Sequence, residues 1–66
     1  MEFSKDELVE AKRQLDSTLH KLRETIKTLE AKENPQRYKS QITLAKRRVK
    51  AFEIASCFIE NEIMKE

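Results

Sequence analysis

The stretch RYKSQITLAKRRVK, Arg37 to Lys50, holds six lysines and arginines and not one acidic residue. Side chains of this kind bind anions. The planar guanidinium fork matches the oxygens of a phosphate or carboxylate, and the ammonium of lysine acts as a point charge. The rest of the chain balances the patch: Met1 to Glu10 has four acids and one lysine, Glu53 to Glu66 again four acids and one lysine, and the net charge of the 66 residues is only +2. Whole-molecule attraction to nucleic acid or to a membrane surface is therefore weak, and any anion must be recognised locally.

Other groups with chemical potential are sparser. Asp16, His20 and Glu24 recur at four-residue steps on one helical face, a spacing that resembles a metal-ligand set, but they fall on the solvent side, where charge-rich helices produce such triplets by chance. Cys57 is the single cysteine, so an intrachain disulfide is excluded and a reducing compartment is expected; it has no base beside it to make it a nucleophile. With no glycine there is no phosphate-cradling loop and no dinucleotide fingerprint. The small aspartyl-phosphate phosphatases of sporulation are helical hairpins of similar length marked by a serine closely followed by leucine and aspartate. SQITL, Ser40 to Leu44, lacks the aspartate. The expectation is a protein that is not an enzyme and uses no cofactor and no metal.

Any such site must be positioned by helices. No segment alternates with period two between turn residues, and the composition is rich in Glu, Lys, Leu, Arg, Ala and Ile. FSKDEL opens the first helix, with Ser4 as N-cap, Glu7 completing a capping box, and Phe3 and Leu8 spaced as a hydrophobic staple. Leu8, Leu15, Leu22 and Leu29 recur every seventh residue, with Leu19 and Ile26 in the alternate seam position. A DNA-binding zipper would need a basic region N-terminal to such leucines, and here that end is acidic. ENPQ breaks the pattern, with Asn34 placed to cap and Pro35 suited to a first helical position. Tyr38, Ile42, Ala45, Val49, Phe52, Ser56, Ile59 and Ile63 form a second seam. The Ser56 hydroxyl is expected to return to a backbone carbonyl one turn earlier. The fold expected is all-α: one 1–66 domain with helices over 4–32 and 35–65 and a turn at 33–35, forming an antiparallel hairpin with arms about 40 Å long.

The second helix carries another stripe. At 100° per residue Arg37, Leu44, Arg48, Ala51, Ala55, Phe58 and Glu62 align about 110° round from the seam. Leu44, Ala51, Ala55 and Phe58 would be wet in a single hairpin, and Ile54 and Met64 add apolar area beyond both stripes. A homo-oligomer is expected to cover this face, as a four-helix-bundle dimer or as a tetramer. Pairing the arms about Asn34–Pro35 puts Glu30 near Lys39, Arg23 near Lys46, Asp16 near Glu53, Thr18 opposite Arg48 and Thr25 opposite Gln41.

Arg48 lies within the second stripe, so association would partly bury it, and a buried guanidinium needs an anion. Glu62 or Glu53 of another subunit answers that need, or an external phosphate or nucleotide does. In the second case Arg48 and Arg47 hold phosphate, Lys46 and Lys50 supply field, Thr18 and His20 offer hydrogen bonds with Lys21 close by, and Tyr38 stacks on a base. If neither applies, the patch is a solvated exterior.

STLHK (Ser17–Lys21) and TLAKRRVKA (Thr43–Ala51), on facing arms, resemble stretches of small hairpin proteins of Gram-positive bacteria and their phages. In size and inferred assembly the chain is also similar to the phage sponge proteins, which trap cyclic nucleotide signals of bacterial immunity in basic pockets between subunits. That resemblance implies a non-enzymatic anti-defence role, sequestering a small anionic ligand such as a nucleotide. Two rivals stay open: a module docking a helix of a different protein, and a weak nucleic-acid binder acting through residues 37–50. MEFSKDELVE has no apolar run and AFEIASCFIENEIM is interrupted by glutamates, so no signal peptide and no membrane span are expected, and the location expected is cytoplasmic.

Overall fold

A computed structural model describes residues 2–65; the first and last residues of the expected 1–66 domain lie outside the described residues. Two α-helices of 26 residues each, α1 (Lys5–Glu30) and α2 (Lys39–Met64), pack against each other, joined through a short 3-10 turn at Pro35–Tyr38. At 1.5 Å per residue each helix is about 39 Å long. The molecule is a rod of 50 × 16 × 15 Å, and no strand occurs among the described residues.

The start of α1 is as expected. The Glu7 backbone N–H donates to Ser4 Oγ at 3.1 Å, and the Ser4 backbone N–H donates to Glu7 Oε1 at 3.0 Å. The hydrogen bond from the Ser4 backbone, and then the one with its hydroxyl, holds the Glu7 carboxyl below the usual range. The staple is weaker than its spacing suggests: Leu8 is half-buried, but Phe3 remains 56% exposed.

The link differs from expectation in three respects. α1 ends at Glu30, not residue 32, with the Ala31 N–H closing on the Lys27 carbonyl at 3.1 Å. Asn34 caps with its backbone carbonyl, which accepts from the Arg37 N–H at 3.1 Å, and its side chain makes no cap bond. Pro35 then opens a 3-10 turn, and the α-helix proper starts four residues later at Lys39. No described residue has a positive φ, so the reversal needs no left-handed residue, and a chain without glycine makes it at no cost in strain.

Every expected seam residue is buried or half-buried, with Leu19 at 4% exposure and Ile26 and Ala45 close behind. The register is a correction. Glu30 pairs with Lys46 and Arg23 with Glu53, each seven residues further along α2 than the partners expected, Lys39 and Lys46. Helical side chains lean toward their own N-terminus. Two residues on this flank of antiparallel arms meet when each backbone position lies beyond its partner's level, which same-level pairing ignores. The consequence is chemical: Arg23, expected beside Lys46, is paired with Glu53, and Lys46 is paired with Glu30, so two complementary pairs stand where like charges were expected.

Because the core is this thin, single truncations should be costly. A chain of this length has roughly 3–10 kcal/mol of stability at typical per-residue values. Leu19→Ala should remove about 2–5 kcal/mol in denaturant unfolding, whereas Val9→Ala, at a 42% exposed site, should change stability by less than about 0.5 kcal/mol.

Candidate functional site

The two long sides of the hairpin have opposite characters. One side carries every salt bridge between the helices found among the described residues: Lys12–Glu60 at 3.2 Å, Arg23–Glu53 at 2.7 Å and Lys46–Glu30 at 3.2 Å. Toward its open end is a polar layer that the leucine repeat conceals. Lys12 sits four residues after Leu8 and three before Leu15, which is a seam position, and it is only 29% exposed. Its ammonium donates to Asp16 Oδ2 at 3.0 Å and to Ser56 Oγ at 3.2 Å, and faces Glu60. Ser56, itself 7% exposed, donates its hydroxyl proton to Asp16 Oδ1 at 3.0 Å. The expected return of that hydroxyl to its own backbone is therefore replaced by a bond across the hairpin. The Asp16 and Glu60 carboxylates lie on the same side, and Lys12 rises between them and neutralises both.

This geometry also shifts the titrations. The hydrogen bond from Lys12, and then the one from Ser56, holds the Asp16 carboxyl below its ordinary range; the bonds to Asp16 and Glu60 push the Lys12 ammonium up. Both Asp16 oxygens are thus occupied, and Glu24 pairs with Lys27 at 3.1 Å. All three members of the spaced triplet Asp16–His20–Glu24 are exposed, as expected, but Asp16 and Glu24 are already engaged by other side chains, so the triplet is not a free set of metal ligands.

The other side has no ion pair between helices among the described residues. It presents Leu44 at 49% exposure and Phe58 at 72%, with exposed Ala51 and half-buried Ala55 between them and exposed Arg48 in the same stripe. From α1 it receives Ala11, Gln14, Thr18 and Thr25, small or uncharged residues, with Lys21 at its edge. The Thr25 hydroxyl turns back to the Lys21 carbonyl at 2.9 Å, and no hydrogen bond joins Thr18 to Arg48 among the described residues.

The eight residues expected to bind an anion are not gathered in one hairpin. Lys46 is engaged by Glu30 on the salt-bridged side. Arg47, Arg48 and Lys50 are exposed and make no ion pair among the described residues. Successive residues differ by 100°, so Arg47 points to the back of α2, Arg48 to the apolar stripe and Lys50 toward the opposite side. Tyr38, half-buried, ends the 3-10 turn ten residues before Arg48, about 15 Å along the rod. His20 and Lys21 are exposed on different sides of α1. Two hollows lie near the turn: one of about 320 Å³ lined by Glu30, Pro35, Gln36, Lys39, Ile42, Thr43 and Lys46, and one of about 300 Å³ lined by Lys32, Glu33, Asn34, Arg37 and Tyr38. Arg48 lines neither.

Comparison of the chain with family models, with curated proteins and with solved structures finds no match. No helix among the described residues is long and apolar enough to cross a membrane.

The polar layer sets a pH window. Asp16 has a folded-state pKa below its ordinary 3.8, so its contribution is complete above that value and is lost as pH falls through the lower, folded-state one. Lys12 is raised above 10.5, so its contribution is complete below that value and is lost as pH rises through the higher one. Thermal midpoints should therefore plateau between roughly pH 5 and 10. Asp16→Asn should flatten the acid limb relative to wild type. Superimposable acid limbs would mean that the layer is not a stabilising unit.

Proposed function

We propose that the protein is a non-enzymatic helical-hairpin oligomer that holds a small anionic ligand, a nucleotide or another phosphate compound, at a basic interface between subunits. The observation that supports it best is Arg48. The acids facing the seam are spent on the salt-bridged side, on Lys12, Arg23 and Lys46. Arg48 stands among Leu44, Ala51 and Phe58 with no carboxylate beside it. Covering that apolar face removes water from the guanidinium, and a desolvated guanidinium requires an anion.

The dispersal of Arg47, Arg48 and Lys50 around α2 favours a ligand held by more than one subunit, since one hairpin directs only Arg48 into the stripe. The chemistry asked of the protein is binding alone. Phosphate oxygens accept from the Arg48 fork, and neighbouring cations raise the local potential. Tyr38, about 15 Å from Arg48 along the rod, contributes only if another subunit presents it. The likeness to phage sponge proteins belongs to this proposal and supplies the first ligands to try.

The test has two parts. Sedimentation should give a mass of two or four chains; a monomer would instead favour the rival in which the stripe docks a helix of a different protein. Thermal shift against mono- and dinucleotides at low salt should then find a stabiliser. A ligand at 100 times its dissociation constant adds about 2.7 kcal/mol, a rise on the order of 10 °C for a chain this short. Arg48→Ala should abolish that rise, and sedimentation should show that the variant keeps the mass of the wild type. An oligomer that no nucleotide stabilises would remove the ligand from the proposal. Affinity for single-stranded nucleic acid falling steeply with salt would point to the basic stretch as a backbone-binding patch.

A further inference from the structure

Resting on the self-association proposed above, we infer that a second copy of this chain docks antiparallel on the outer stripe of α2, with Ala51 of both copies on the two-fold axis. Residue sizes set the register. Counting outward from Ala51, the stripe has Leu44 seven residues before and Phe58 seven residues after, with Arg48 and Ala55 between. An antiparallel two-fold through Ala51 brings Leu44 of each copy beside Phe58 of the other. It sets the two alanines together at the centre and lays each Arg48 across the other copy's Ala55. Bulk meets bulk at the ends, and small residues allow close approach in the middle, as an isologous contact requires.

Charge sets the direction. On this face Arg37 marks the turn end, Arg48 and Lys21 the middle, and Glu62 with Glu7 the open end of the rod. A parallel arrangement would stack Arg37 on Arg37 and Arg48 on Arg48. The antiparallel one lays each basic turn end over the acidic open end of its neighbour. It also separates the two Arg48 positions by six residues, about 9 Å along the helix. The salt-bridged side cannot serve instead, because its charges are already paired within the hairpin.

The geometry gives a direct test. Helices in contact lie 8–10 Å apart and their Cα atoms sit about 2.3 Å from each axis, so two on-axis residues have Cα atoms about 4–5 Å apart, within reach of a disulfide. The native Cys57 is exposed but lies six residues from the axis in each copy. Two such cysteines are therefore about 18 Å apart along the helix and cannot be bridged within the dimer. In a Cys57→Ser background, Ala51→Cys should convert most of the protein to a covalent dimer under mild oxidation. The wild type, with Cys57 alone, should remain uncoupled. A wild-type oligomer whose Ala51→Cys variant does not cross-link, or one that cross-links readily through Cys57, would overturn this axis and leave self-association standing. A monomeric mass for the wild type would overturn both.

Discussion

Much of this structure depends on Lys12, a lysine in a leucine seam. An ammonium at a seam position must be answered by the opposite helix, and Ser56, with Glu60 one turn on, is the place on α2 that answers it. Sliding α2 by one heptad in one direction would bring Val49 into the place of Ser56, and in the other Ile63; neither offers an oxygen. Ser56 would then be buried without a partner, at about 1–3 kcal/mol. A single polar layer in an apolar seam is a known way to fix pairing. Here it fixes the register of the two arms, and thereby the positions of every residue on the hairpin's outer surfaces.

From that register follows the division into two sides. Arg23 finds Glu53 and Lys46 finds Glu30 only because Lys12 has set the level at the other end. Individually these exposed pairs are worth about 1 kcal/mol or less. Their greater effect is to use the acids. Asp16, Glu30, Glu53 and Glu60 all face one side, and the acids of the other face, Glu7 and Glu62, lie at its open end, so Arg48 in the middle has no acid of the hairpin paired with it. The asymmetry that makes Arg48 noteworthy originates in the placement of its acidic neighbours.

Much of this was legible in the sequence, and the parts that were not share a cause. Ser4 and Glu7, the leucine heptads and the alternating four-and-three spacing of α2 each declare a local geometry, and the helices and seams follow from them. Lys12 has the same spacing as its apolar neighbours, but its residue type places it on the surface in any sorting by polarity. Counting positions before chemistry would have found it. The flank pairs failed because they depend on which way side chains lean, a property of three dimensions that the order of residues states only indirectly. The cations of the expected anion site do not converge within one hairpin for a simpler reason: adjacent residues in a helix are neighbours in sequence and face different directions. The stripe of Leu44, Ala51 and Phe58 was legible because its members repeat with the helix.

The thinness of the core gives the outer stripe its energetic meaning. Among the described residues only Leu19, Ile26 and Ala45 are buried apolar residues, while Leu44 and Phe58 stay about half exposed or more. Two helices sharing one seam cannot cover more than one stripe each, whatever the residues, and chains of this size sit where a single core is barely sufficient. Apolar area on α2 outside the seam adds nothing to the stability of an isolated hairpin, and it has the spacing of a second seam. A four-helix arrangement is the smallest closed solution that gives such a helix two covered faces. In that arrangement part of the folding free energy comes from association, so unfolding depends on protein concentration. It also brings Arg48, at the middle of that stripe, out of water.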